Sequence, residues 1–243
     1  MTAVDRAIAV GAVVVLTGLA LALPPRPFGD APEYLLMAES WAAHGSPELR
    51  PGDVDALRRR VAVSGMAASP DDALGNYFEG RDGRFYCYHF SFYPLLTLPA
   101  RWALGAVGGD VLKAGPLTNA IALGGAIAAV LLLVPAGTWA RRAAAALLVS
   151  SPALGFLLWP HPEVLSFAMA TLALVAGSRG ASGLATLCAA IIGSGHSVEI
   201  WSGWAYLSNT GAKKGRAGIW MMAIPMPGWP ALDSSSPACR NAA

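Results

Sequence analysis

Two carboxylates three residues apart, Asp30 and Glu33, follow directly on the first long apolar run of this 243-residue sequence. On a helix, positions i and i+3 share a face, so both groups could point into one cavity. A carboxylate placed there can act as a general base on a hydroxyl, or hold a cation against a phosphate. The same residues also suit a plain helix start. Asp30 would be the N-cap, Pro32 would sit in the first turn, and Glu33 at N3 would complete a capping-box-like arrangement. The two readings are compatible, and taken alone the spacing favours capping.

A second group of reactive side chains lies between Asn76 and Pro94. Asp82-Gly83, set between aromatic runs, is a hairpin signal and puts Arg81 and Arg84 at the turn. His89 follows among Phe90, Phe92 and Tyr93. Aromatic side chains belong at a membrane interface, which alone would account for the composition. A functional reading adds Arg81, Arg84 and His89 as contacts to a lipid phosphate. Further on, His161 and Glu163 flank Pro162 at the mouth between two apolar runs. Ionisable groups at such depth are functional candidates, although a helix start explains Glu163 nearly as well. Cys87, Cys188 and Cys239 match neither a zinc spacing nor a disulfide framework. No metal ligand set emerges from spacing, and metal dependence stays open.

The elements that must hold these groups belong to a membrane protein. Hydrophobic residues make up 55% of the chain and charged residues 13%, against about 25% charged in an ordinary soluble domain. Net charge is +2 and the only basic block is Arg58-Arg59-Arg60, so no nucleic-acid partner is implied. Crossing a hydrocarbon core of ~30 Å takes about 20 apolar helical residues. Runs at about 7–23, 115–138, 143–160 and 162–177 qualify, with a weaker fifth at 183–193. For the first run a cleaved signal peptide competes, because Ala20-Leu21-Ala22 resembles a cleavage site. The expected fold is therefore an all-α integral membrane protein of about four or five transmembrane helices. A long external loop, 24–113, would carry short helices, one near Val54–Val63 and an interfacial or re-entrant one at 90–107 containing Pro94, Pro99 and Arg101. With a cytoplasmic N-terminus, Arg141-Arg142 and Arg179 fall inside and His161-Pro162-Glu163 outside, as positive-inside asymmetry requires.

The order of parts resembles the GT-C membrane glycosyltransferases, especially the group containing dolichyl-phosphate-mannose protein mannosyltransferases and aminoarabinose transferases. One span leads to Gly29-Asp30-Ala31-Pro32-Glu33-Tyr34-Leu35, then a long external loop with Asp82-Gly83-Arg84-Phe85-Tyr86, then His89 to Pro99 and alanine-rich spans. The resemblance covers roughly residues 7–177 and rests on order more than on any single motif. It implies that Asp30 is the catalytic base and Glu33 its companion carboxylate. It implies a donor sugar on a polyprenyl phosphate, inverting transfer to a hydroxyl, and residence in a bacterial inner (plasma) membrane. The partners implied are membrane lipid and that lipid-linked sugar donor, with no protein partner specified. Arg81 and Arg84 become candidates for the leaving phosphate, with His89, His161 and Glu163 around the substrate.

The chain departs from the family pattern towards its end. Family members have more spans and a further soluble domain. Here apolar periodicity decays after Ala190, and 193–243 carries four tryptophans, Lys213-Lys214 and Ser234-Ser235-Ser236 without a clean span. The expectation is a truncated and inactive N-terminal part, with the reading frame broken near Ile192 and an atypical, disordered tail. The alternative is a genuine tail with one interfacial helix at about 219–224. A non-enzymatic multi-span scaffold or a transporter fragment is the competing function. The uncharged middles of the spans argue against transport.

Overall fold

The computed structural model describes residues 2–66, 74–80, 82–87, 89 and 91–195. Arg81, and the tail expected from 193 onward except its first three residues, lie outside the described residues. The described chain runs α1 (Ala3–Ala22), α2 (Ala31–His44), α3 (Pro51–Ser64), a hairpin of β1 (Tyr77–Glu79) and β2 (Phe85–Cys87), and α4 (Phe92–Ala106). Then follow α5 (Ala114–Leu133), α6 (Thr138–Val149), α7 (Glu163–Ser178) and α8 (Ser182–Gly195). It is mostly helical, as expected, with a small antiparallel hairpin around the Asp82-Gly83 turn.

Among the described residues, two helices are long and apolar enough to cross a membrane: α1, and α5 together with the 3-10 turn that leads into it from Val111. Twenty residues at 1.5 Å each reach ~30 Å, the thickness of a hydrocarbon core. The start of α1 is fixed by a capping box, in which Thr2 Oγ1 accepts from the Asp5 N–H and Asp5 accepts from the Thr2 N–H. Ala9, Leu16 and Ala20 of α1 pack into one core with Ala120, Leu123 and Ile127 of α5. The helices approach closely because Gly124 lacks a side chain; a Cβ there would lie 3.0 Å from Val13 Cα. The opposite face of α1 leaves Val10, Val14 and Val15 exposed.

The helices at the other expected spans are shorter than a membrane crossing requires. The helix anticipated over 143–160 breaks in two: α6 ends at Val149, and Pro152–Leu154 forms a 3-10 turn followed by irregular chain. Pro152 explains the break, since it lacks an N–H and disfavours helical geometry in the residue before it. The twelve residues of α6 extend only ~18 Å. The 16-residue α7 and 14-residue α8 are apolar, but at ~24 and ~21 Å they too fall short of ~30 Å.

Charge separates the two ends of the α1–α5 pair. At the start of α1, fully buried Asp5 meets Arg141 at 3.3 Å and Arg142 at 2.9 Å. Arg179 donates to the Leu133 carbonyl at 3.1 Å, at the same end of α5. At the other end, Lys113 donates to the Leu21 carbonyl. There α2 and α3 build their own core from Leu35, Leu36, Val54, Leu57 and Val61, closed by Leu112. Buried Glu39 joins α2 to α4 through Arg101 at 2.7 Å and to α3 through Arg60 at 2.9 Å. Asp53 ties α3 back to α2 through Ser40 at 3.1 Å and His44 at 3.0 Å.

Candidate functional site

Asp30 occupies the N-cap position of α2, yet its side chain makes no capping hydrogen bond. Its Oδ2 lies 3.3 Å from His89 Nε2. Glu33 does not close a capping box either. Its Oε2 lies 3.0 Å from the same His89 nitrogen. The favoured capping reading is thereby corrected: imidazole, not backbone amide, is what these two carboxylates face. The physical reason is a tertiary contact made by His89, more than fifty residues downstream, which local spacing cannot report.

The hairpin makes that contact possible. Tyr77 pairs with Cys87 in the β1–β2 register, so Asn76 just before β1 and His89 just after β2 emerge side by side. The hairpin is anchored to the α2–α3 unit by the Leu49 N–H, which donates to the Phe85 carbonyl at 2.7 Å. Asn76 Nδ2 then donates to Glu33 Oε1. The Cys87 thiol donates to Glu33 Oε2 at 3.6 Å and accepts from the His89 N–H at 3.4 Å. Glu33 is thus buried and held on both oxygens, whereas 45% of the Asp30 side chain is exposed. Burial pushes the Cys87 thiol up to about 12 and raises the Tyr34 and Tyr77 hydroxyls above their ordinary value. These three groups stay neutral. One ligand atom from each of Asp30, Glu33 and His89 lies within 4.8 Å of the others.

His161, just before α7, and Glu163, its first residue, reach the same neighbourhood. His161 is buried, with Nδ1 3.2 Å from Glu163 and Nε2 3.1 Å from the Phe28 carbonyl. The Tyr34 ring stands between the two histidines, 5.6 Å from His89 and 5.1 Å from His161, and meets Tyr93 edge-on at 5.5 Å. Asn119 of α5 fixes the backbone that carries His161, donating to the Trp159 and His161 carbonyls at 2.9 and 3.1 Å. Gly115 lets that backbone close in, since a Cβ there would lie 2.9 Å from Pro160 Cα.

Arg84 does not join this group through any of its ion pairs. It pairs with Glu48 and, at 3.6 Å, with Asp82. Three extended residues, ~10 Å, separate it from Cys87. Hydrogen bonding from Arg50 holds Glu48 below the usual carboxylate range. Arg81, the other expected phosphate contact, lies outside the described residues. A cavity of about 530 Å³ also lies elsewhere, lined by Arg59, Arg60, Ser64, Gly109 and Asp110. A void of only about 10 Å³ adjoins Tyr34, Tyr93 and Arg101.

Sequence reasoning missed the supporting roles of Asn76, Tyr34 and Asn119. Of these only Asn119 carries a signal, as a lone amide inside an apolar run. Fold and site together define a mostly helical chain with two helices of membrane-crossing length and a carboxylate–imidazole centre beside one end of that pair. No protein-family model, curated protein or solved structure matches the chain.

Proposed function

We propose that this chain is a membrane glycosyltransferase of the GT-C kind, transferring a sugar from a polyprenyl-phosphate donor to an acceptor hydroxyl on the non-cytoplasmic face. The observation that carries the reading is that Asp30 and Glu33, at the exit of the first membrane-length helix, converge on His89 instead of capping α2. Embedding of α1 and α5 in the bilayer is supported by their length and by the exposed valine face of α1. Asp5 with Arg141 and Arg142 would lie at the cytoplasmic surface, and the carboxylate–imidazole centre at the opposite one.

In this reading Asp30, the exposed carboxylate, takes the proton of the acceptor hydroxyl. The oxygen attacks the anomeric carbon, a new C–O bond forms, and the bond to the lipid phosphate breaks with inversion. The phosphate leaves with the electron pair. Glu33, buried and clamped, positions His89 rather than touching the acceptor. The departing phosphate needs positive charge. Arg84 is engaged with Glu48 and Asp82, so that role falls to Arg81 or to charge gathered at His89, with His161 and Glu163 bordering the sugar.

A non-enzymatic scaffold is the second reading, favoured by a cavity of about 530 Å³ that lies away from this centre. One assay separates them. The full chain in proteoliposomes is offered a panel of labelled polyprenyl-phosphate sugars with membrane acceptors. Transfer by the wild type, reduced about 10²–10⁴-fold in Asp30→Asn with membrane insertion intact, supports the enzyme. An Asp30→Asn protein with wild-type rate removes Asp30 from the mechanism, and wild-type inactivity across the panel leaves the scaffold.

A further inference from the structure

We propose that Asp30, Glu33 and His89 bind one divalent cation of the class that accepts mixed oxygen and imidazole ligands, such as Zn²⁺ or Mn²⁺. Two distances carry the argument. Metal bonds to imidazole nitrogen and carboxylate oxygen run about 2.0–2.2 Å. Neighbouring ligand atoms are then about 3.0 Å apart at a right angle and about 3.4 Å apart at the tetrahedral angle. His89 Nε2 stands 3.0 Å from Glu33 Oε2 and 3.3 Å from Asp30 Oδ2, and one ligand atom from each of the three residues lies within 4.8 Å of the others.

Hydrogen bonding alone serves this arrangement poorly. A single imidazole nitrogen has one N–H and makes one straight bond, yet two carboxylates crowd the same atom. A cation on the common side of the three atoms serves all of them at once. The start of α2 contributes about half a positive charge, which two carboxylates outweigh. The donor set suits borderline metals better than Mg²⁺ or Ca²⁺, which prefer oxygen throughout.

The supports around the group are those a metal site uses. Asn76 holds the free oxygen of Glu33, and Cys87 braces both Glu33 and the His89 backbone. The Cys87 thiol itself faces Glu33 as a donor and is not counted among the ligands. Asp30 and His89 remain partly exposed, at 45% and 28%. The site stands without the transferase reading. Only the further step, that the cation meets the donor phosphate, rests on it.

The test uses the full chain in nanodiscs, metal-stripped and then titrated with Zn²⁺ against a chromophoric chelator and with Mn²⁺ by electron paramagnetic resonance. The expected result is about one ion per chain, with affinity reduced at least tenfold in Asp30→Asn, Glu33→Gln and His89→Gln. Glu79→Gln, on the exposed hairpin, should bind as the wild type does. Circular dichroism checks folding, and the half-exposed position of Asp30 makes Asp30→Asn the variant least able to disturb it. X-ray absorption should report a nitrogen and oxygen shell with one imidazole. Absence of a stoichiometric ion in the folded wild type, undiminished binding in all three variants, or sulfur in the shell would overturn the site. Metal bound without sugar transfer would instead refute the transferase reading and leave the site standing.

Discussion

Asp30 and Glu33 stand three residues apart and meet the same nitrogen, yet their surroundings divide their roles. Glu33 is sealed under Asn76 and Cys87, while Asp30 opens to solvent. In the proposed transfer an acceptor meets the exposed carboxylate, which is why we propose Asp30 as the base and Glu33 as a positioning residue. Cys87 offers an independent check on this environment. With its thiol pushed up to about 12 against an ordinary value of about 8.5, its thiolate fraction near pH 8 falls by about 10³. Alkylation by iodoacetamide at pH 8 should therefore be about a thousandfold slower at Cys87 than at a free thiol. A rate near that of free cysteine would show an open or charge-stabilised site. Asp30, Glu33, His89 and His161 were legible as types and positions. Their convergence was not, because it depends on a hairpin whose register no local pattern encodes.

At the scale of elements, two close approaches and one buried charge set the architecture. Gly124 faces Val13 of α1, where a Cβ would sit 3.0 Å from backbone, whereas Gly125 has nothing within 4 Å. Small residues let helices meet without a hydrophobic drive in lipid. Gly124→Val should destabilise the α1–α5 pair by about 1–3 kcal/mol, seen as a lower midpoint of thermal unfolding in detergent, while Gly125→Val should leave it within error. Equal midpoints for both variants would contradict the packing. Glu39 is the second case. It is buried with Arg101, and Glu39→Ala would strand that guanidinium at a cost of about 3–5 kcal/mol. Much of this layer could be read from the chain: the first apolar run, the helix near Val54–Val63, the hairpin at Asp82-Gly83 and the proline-bearing α4 all form close to their expected places. The run over 143–160 misled because alanine and leucine richness conceals a break that Ser150-Ser151-Pro152 enforces.

At the scale of the whole molecule, the distribution of charge gives the chain its polarity. Asp5, Arg141, Arg142 and Arg179 gather at one end of the α1–α5 pair. Asp30, Glu33, His89, His161 and Glu163 belong to the other. Lipid-linked sugar transfer on the non-cytoplasmic face requires the second end to face outward. The most direct measurement is cysteine accessibility in a chain whose own three cysteines are replaced by serine. Glu79→Cys marks the hairpin beside the carboxylate–imidazole centre, and Gly137→Cys marks the start of α6 beside the arginines. A membrane-impermeant maleimide should label Glu79→Cys in sealed right-side-out vesicles and Gly137→Cys only in inverted ones. The reverse pattern, with the hairpin labelled only in inverted vesicles, would place the centre in the cytosol and contradict the account.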